Sequence, residues 1–220
     1  MSKIRLAIGT ASTGNVRIEF MESVLALQKA LMTDVNLKVQ DVCLLYYCSS
    51  VIPQNRTEIV RMAKKWKATH ILWIDDDMRF PVEAAKALLW QAKKQRYGII
   101  GANCIKRKYP IEWMACDFDG TEYVSADRTG VAKVLYTGNA FVLVDMKVYD
   151  TVPEPWFAFA YNEKTTNFGT EDVFFMTKAA QHGFDTYVDN DVSQLLTRLT
   201  TEQEWNDAIH KVRKTIKHVS

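Results

Sequence analysis

The chain is poor in the residues that mark several protein classes. Its 220 residues include only four cysteines, five prolines, nine glycines and four histidines. None of Cys43, Cys48, Cys104 and Cys116 is spaced CxxC, and a chain of this length needs no covalent staples. They read as reduced, mostly buried thiols rather than disulfides or zinc ligands. Glycine and proline are too sparse for a flexible linker, and no repeat or low-complexity tract occurs, so one continuous domain over 1–220 is expected. Basic excess is missing too. Lys+Arg 28 against Asp+Glu 26 leaves +2, which argues against a protein built mainly to hold nucleic acid. No apolar run approaches the roughly 20 residues of a membrane-spanning helix; Ile71–Ile74 is strand-sized. The first ten residues have too short an apolar stretch for a signal peptide. The expected compartment is cytoplasmic.

What is present is an ordinary globular balance, 48% hydrophobic and 25% charged, with length enough for a core. Ile4–Gly9 is a short apolar run with a glycine stop, a buried strand, followed by a small-residue loop over Thr10–Asn15. Phe20, Val24, Leu27 and Leu31 recur at helical spacing. Val39–Tyr47 is a strand, Asn55–Trp66 a helix with Ile59 and Met62 on one face, and Thr69–Ile74 a strand. Pro81 opens a helix to Lys93, and Gly98–Ala102 is a strand again. This alternation predicts a parallel α/β sheet of the nucleotide-binding kind. Later come strands over Ile111–Cys116, Val131–Thr137 and Phe141–Val144, a helical turn at Met146–Tyr149, and a long aromatic loop over Pro153–Phe168. A helix over Glu171–His182, a strand at Asp185–Val188 and a tail helix over Thr201–His218 complete the pattern.

Three places carry candidate chemistry. Asp75, Asp76 and Asp77 follow directly on a buried strand, and open parallel sheets bind ligands beyond the carboxyl ends of their strands. Residues i and i+2 of an extended chain share a side, so Asp75 and Asp77 can converge on one cation while Asp76 points away. Carboxylate oxygens suit Mg²⁺ or Mn²⁺, which neutralise a substrate diphosphate. A helix cap would need only one acid there, whereas three adjacent acids repel one another. Gly169-Thr170-Glu171-Asp172 opens a helix, where a first-turn acidic bias is also common. Lys106-Arg107-Lys108-Tyr109-Pro110 follows a strand; as a loop it is unremarkable, and beside a diphosphate it would supply positive contacts.

The order of these motifs resembles the GT-A glycosyltransferases, especially the compact family-2-like enzymes of phages, large viruses and bacteria, from about Ile4 to Asp191. Ile74 to Asp77 with Phe80-Pro81 is similar to that family's DxD motif. Glu171-Asp172 with Phe174-Phe175 and Gly183 is similar to its ED helix, and Thr137 to Leu143 to its acceptor-side strand. Asn55-Arg56-Thr57 resembles an Arg-Asn helix start, with Thr57 where Asn is usual. The resemblance implies a single α/β domain with a mixed central sheet: a nucleotide-binding half over 1–103, an acceptor-side half over 104–200 and a C-terminal helix over 201–220. It implies Thr10 and Ser12 in the nucleotide pocket and Arg56 under the base or diphosphate. Asp75 would approach the ribose or metal beside Asp76, with Asp77 on the metal. Lys106 or Arg107 would touch donor phosphate or sugar, and Gly138 and Asn139 would lie on the acceptor side. Asp172 would be the general base, with Glu171 supporting it. One departure stands out: Leu196 occupies the position where relatives place a metal-binding His. His210 is the alternative ligand from the tail, and His182 before Gly183 reads as a helix-end residue.

The expected activity is an inverting, Mn²⁺- or Mg²⁺-dependent sugar transfer from a nucleoside-diphosphate sugar to a glycan or other hydroxyl acceptor. A UDP-sugar is favoured over GDP-mannose by analogy. Two rivals stand beside it. A nucleotidyltransferase would want a basic, Gly-rich signature after the first strand, and Gly9–Asn15 contains no basic residue. A glycan- or nucleotide-binding protein without turnover is kept in play by Leu196.

Overall fold

The computed structural model describes residues 3–95, 97–106, 110–162 and 166–198. The expected tail helix, with His210, lies outside these residues, as does Arg107. In chain order the elements are β1 (Ile4–Ser12), α1 (Ile18–Thr33), β2 (Val39–Cys48), α2 (Ile52–Trp66), β3 (His70–Ile74), β4 (Met78–Arg79), α3 (Val82–Gln95) and β5 (Ile99–Gly101). There follow β6 (Val131–Val134), β7 (Phe141–Asp145), α4 (Met146–Thr151), β8 (Ala160–Asn162), β9 (Asn167–Gly169), α5 (Glu171–Gln181), β10 (Thr186–Asp189), α6 (Asn190–Ser193) and β11 (Thr197–Arg198).

Seven of these strands form one mixed sheet in the order β2-β1-β3-β7-β5-β10-β6. Strands β2, β1 and β3 run parallel. β7 inserts antiparallel between β3 and β5, β10 runs parallel to β5, and β6 closes the edge antiparallel. Both halves of the chain therefore supply strands to the same sheet. This is the expected mixed α/β, Rossmann-like architecture.

Side-chain alternation along the central strands explains why the sheet is covered on both faces. Leu6 and Ile8 of β1, Leu72 and Ile74 of β3, and Phe141 and Leu143 of β7 face one cluster with Phe20, Val24, Leu27 and Leu31 of α1 and Leu88 of α3. Ala7, Ile71, Trp73, Val142 and Val144 face the other, with Ile59, Val60 and Ala63 of α2 and Phe175 and Met176 of α5.

Several boundaries differ from expectation. β1 runs on through Ser12, because Thr10, Ala11 and Ser12 keep pairing with Tyr46, Tyr47 and Cys48. α2 begins earlier, at Ile52, with Pro53 in its first turn. Its buried stripe runs through Arg56, Ile59, Val60 and Ala63, which leaves Met62 exposed at 38%; the stripe is displaced toward a charged residue that periodicity alone would assign to solvent. Ile111–Cys116 forms isolated bridges at Trp113 and Cys116 rather than a strand, and the Asn103 side-chain oxygen accepts from the Met114 and Ala115 amides. β6 stops at Val134. The aromatic loop contains the β8–β9 hairpin. None of the four cysteines forms a disulfide; Cys104 and Cys116 are buried, Cys43 is half-buried and Cys48 is exposed. Among the described residues no helix is long and apolar enough to cross a membrane.

Candidate active site

The aspartate turn follows β3 at the carboxyl end of the parallel strands. Its geometry is fixed by the backbone. The Asp75 amide donates to the Ala140 carbonyl at 3.1 Å, and the Met78 amide closes the turn onto the Asp75 carbonyl at 3.2 Å. Because β7 runs antiparallel to β3, with Ile74 opposite Phe141, the residues just before β7, Gly138 and Asn139, arrive at this same end. Asp77 is buried, and the Asp75 and Asp76 side chains are half-buried.

Arg56 projects from α2 into this end of the sheet and is 5% exposed. Its Nη2 donates to Asp75 Oδ1 at 3.1 Å and its Nε to Glu171 Oε1 at 2.9 Å. The guanidinium carbon lies 5.2 Å from the centre of the Trp73 ring, within cation–π range. Trp73 in turn donates from Nε1 to the Tyr149 hydroxyl at 2.8 Å. Room for that ring comes from Gly9: a Cβ there would stand 2.9 Å from Trp73 Cε3 and 3.1 Å from Ile59 Cγ2. Burial opposes the Arg56 charge, but Asp75, Glu171 and Asp172 outweigh it and raise its pKa. Glu171 is pushed above the ordinary carboxylate value by burial, against the pull of Arg56 and with a further push from Asp172.

Glu171 and Asp172 open α5 and are both buried. Asp172 Oδ1 accepts from the Val173 amide at 2.8 Å and from the Thr170 hydroxyl. Asp172 also borders a cavity of about 420 Å³ whose wall includes Lys106, Trp113, Tyr136 and Gly138. A Cβ on Gly138 would lie 3.4 Å from Asp172 Oδ2, an ordinary contact, and 2.0 Å from Met114 Cε, so the flexible Met114 side chain would have to move aside. The Tyr136 phenol is pushed up to about 12 by burial, with contributions from Cys116 and the Asp172 charge.

The remaining predicted residues divide by position. Thr10 and Ser12 end β1, both buried; the Thr10 hydroxyl has no partner among the described residues. Ser12 Oγ accepts from the Gly14 amide at 3.1 Å, and its carbonyl accepts from Asn55 Nδ2 at 3.3 Å. Asn139 is 1% exposed, and neither atom of its amide has a partner among the described residues. Lys106 is paired with Glu112 at 2.9 Å on the cavity that Asp172 borders. His182 caps the end of α5, its Nδ1 2.9 Å from the Lys178 carbonyl. Among the described residues no group of three or more His, Cys, Asp or Glu side chains could hold a metal ion. Leu196 packs against the larger apolar cluster, just ahead of β11, which pairs with β4 beside the aspartate turn.

A crystal structure of A197 from STIV is similar to this chain, with a TM-score of 0.56 and 14% identity over 90% of this chain and 96% of that one. The likeness shows the fold alone. No protein-family model matches the chain, and no curated protein matches it. The comparisons therefore support the mixed α/β fold and show no sequence family.

Sequence reasoning did not single out Trp73 as the floor under Arg56, nor Thr170, Trp113 and Tyr136 around Asp172. Thr170 adjoins the Glu-Asp pair and was findable from its place before a helix start. Trp113 and Tyr136 carried no periodic signal. A larger cavity, about 740 Å³, is lined by Ile4, His70 and Gly98 near the amino ends of the parallel strands. It holds none of the predicted site residues.

Proposed function

We propose that the protein is a divalent-cation-dependent glycosyltransferase that moves a sugar from a nucleoside-diphosphate donor, a UDP-sugar by preference, to an acceptor hydroxyl with inversion. The observation that carries this reading is the joining of the aspartate turn to the Glu171-Asp172 helix start through buried Arg56, beside a cavity bordered by Asp172. The open α/β sheet supports it, since such sheets bind ligands beyond the carboxyl ends of their strands.

The nucleotide would lie over Thr10 and Ser12. Asp75 and Asp77 offer the hard oxygen ligands that Mg²⁺ or Mn²⁺ prefers, although Asp75 already gives one oxygen to Arg56. Two carboxylates are a partial donor set, and Leu196 adds nothing to it, so the fit requires the diphosphate and water to supply the rest. Such a cation would neutralise the departing diphosphate. Asp172 would accept the proton of the attacking acceptor hydroxyl. Gly138 and Asn139 would shape the acceptor side, and Lys106 would touch the donor phosphates or sugar. Holding donor and acceptor in line supplies another large share of the rate.

A thermal-shift panel of nucleoside diphosphates and diphospho-sugars, with and without Mn²⁺, tests the reading. A ligand at a hundredfold excess over Kd adds about 2.7 kcal/mol, a shift of roughly 5–10 °C for a chain of this size. Mn²⁺-dependent stabilisation by UDP or GDP supports the proposal, and no response to any nucleotide overturns it. The apolar packing of Leu196 favours a second reading, a binding protein without turnover. Sugar transfer in the presence of Mn²⁺ eliminates that alternative.

A further inference from the structure

Two motifs from opposite halves of the chain share one counter-charge. Asp75 ends the strand that carries the aspartate turn, and Glu171 begins the helix that carries Asp172. Arg56 reaches both, through different nitrogens of one planar fork, at 3.1 and 2.9 Å. Its side chain is 6% exposed, against 19% for Asp75 and 11% for Glu171. A guanidinium so covered offers little surface to a nucleotide. It does have the geometry for holding two carboxylates at a fixed separation, which a lysine ammonium on a flexible stem cannot reproduce. Trp73 beneath it, braced by Tyr149, limits its movement.

We infer that Arg56 is a positioning residue, a buried clamp that sets the helix start bearing Asp172 against the aspartate turn and so couples the donor and acceptor sides of the site. Its effect on turnover rests on the transferase reading; the clamp itself does not. The clamp makes a specific demand: releasing Asp75 must be felt at Glu171, through Arg56.

Hydrogen exchange on the unliganded full chain measures this. Asp75→Asn is expected to speed exchange of the amides at 171–174 by about 2- to 10-fold, the size of coupling usual within one buried network. In an Arg56→Met background the same substitution should add nothing there. Arg56→Lys should restore part of the protection. No change at 171–174 in Asp75→Asn overturns the clamp, as does an equal change with and without Arg56. If Arg56→Met fails to fold, Asp75→Asn and Arg56→Lys still decide: a lysine that restores full coupling also overturns the need for the fork. In a transfer assay with UDP-sugar and Mn²⁺, Arg56→Lys should lower kcat more than it raises donor KM. A KM effect alone would return Arg56 to the nucleotide. Coupled exchange in a protein that transfers no sugar would uphold the clamp and remove the transferase reading.

Discussion

Arg56 and Glu171 are 115 positions apart in the chain, yet Arg56 Nε donates to Glu171 Oε1 at 2.9 Å inside the protein. The pair is held where α2 and α5 cover the same face of the sheet. Breaking one partner of a buried pair costs more than the pair's net worth, because the other charge is left uncompensated. Substitutions around this contact should therefore separate chemistry from folding only when they preserve size and polarity.

Asp172→Asn meets that condition. The amide keeps an oxygen for the Val173 amide and the Thr170 hydroxyl, while the basicity goes together with the charge that Arg56 and Glu171 feel. Removal of a general base typically costs about 10²–10⁴ in rate. We expect kcat to fall by that order while the Kd for a donor nucleotide, measured by calorimetry, stays within about twofold. Near wild-type transfer would exclude Asp172 as the base.

Asp77 is buried rather than loop-exposed, so Asp77→Asn is a cleaner probe of metal binding than alanine. We expect the Mn²⁺-dependent affinity for UDP to fall about tenfold or more, a difference of about 1.4 kcal/mol, with an unchanged circular dichroism spectrum. With Leu196 in the apolar cluster, Mn²⁺ should bind weakly without nucleotide, and each ligand should raise the other's affinity by the same factor. Tight Mn²⁺ binding to the protein alone, abolished by His210→Ala, would show that the tail supplies a ligand.

Gly9→Ala tests the floor beneath Arg56. The added methyl would press on the Trp73 ring from 2.9 Å, and the ring is fully buried. Overpacking of this kind costs about 1–3 kcal/mol, a lowering of Tm by about 3–10 °C in a chain of this size. In a Trp73→Leu background, where the ring is gone, Gly9→Ala should cost less than it does in the wild type. A Tm equal to wild type for Gly9→Ala would mean the ring is not held where it stands.

His70 predicts an acid-side loss of stability. Burial lowers its pKa, against an upward push from Asp145 and with a further lowering from Lys147. The unfolded chain takes up a proton on this imidazole near pH 6.5, a typical reference value; the folded protein does so only at lower pH. The unfolded state then binds more protons, so stability falls as pH drops below about 6.5. In urea titrations between pH 7 and pH 5, His70→Gln should lose less stability than wild type. An identical decline in both would discard His70 as the source.

Much of this protein is legible in one dimension. The continuous apolar runs Leu6–Ile8, Ile71–Ile74 and Phe141–Val144 specify buried strands, because a strand covered on both faces must be apolar on both. The spacing of Phe20, Val24, Leu27 and Leu31 specifies a helix face. Three consecutive aspartates at a strand end, and Glu171-Asp172 at a helix start, mark the candidate site, because local repulsion and helix-end electrostatics are properties of neighbours in sequence. What only the tertiary structure decided is which of these local features meet. The insertion of β7 between β3 and β5 brings Gly138 and Asn139 to the aspartate turn, and no local pattern encodes which strands become neighbours. The motif resemblance places Arg56 under the base or diphosphate, and nothing local marks it as buried. Its burial is favourable only because Asp75 and Glu171, from two distant segments, converge to replace the water it gives up.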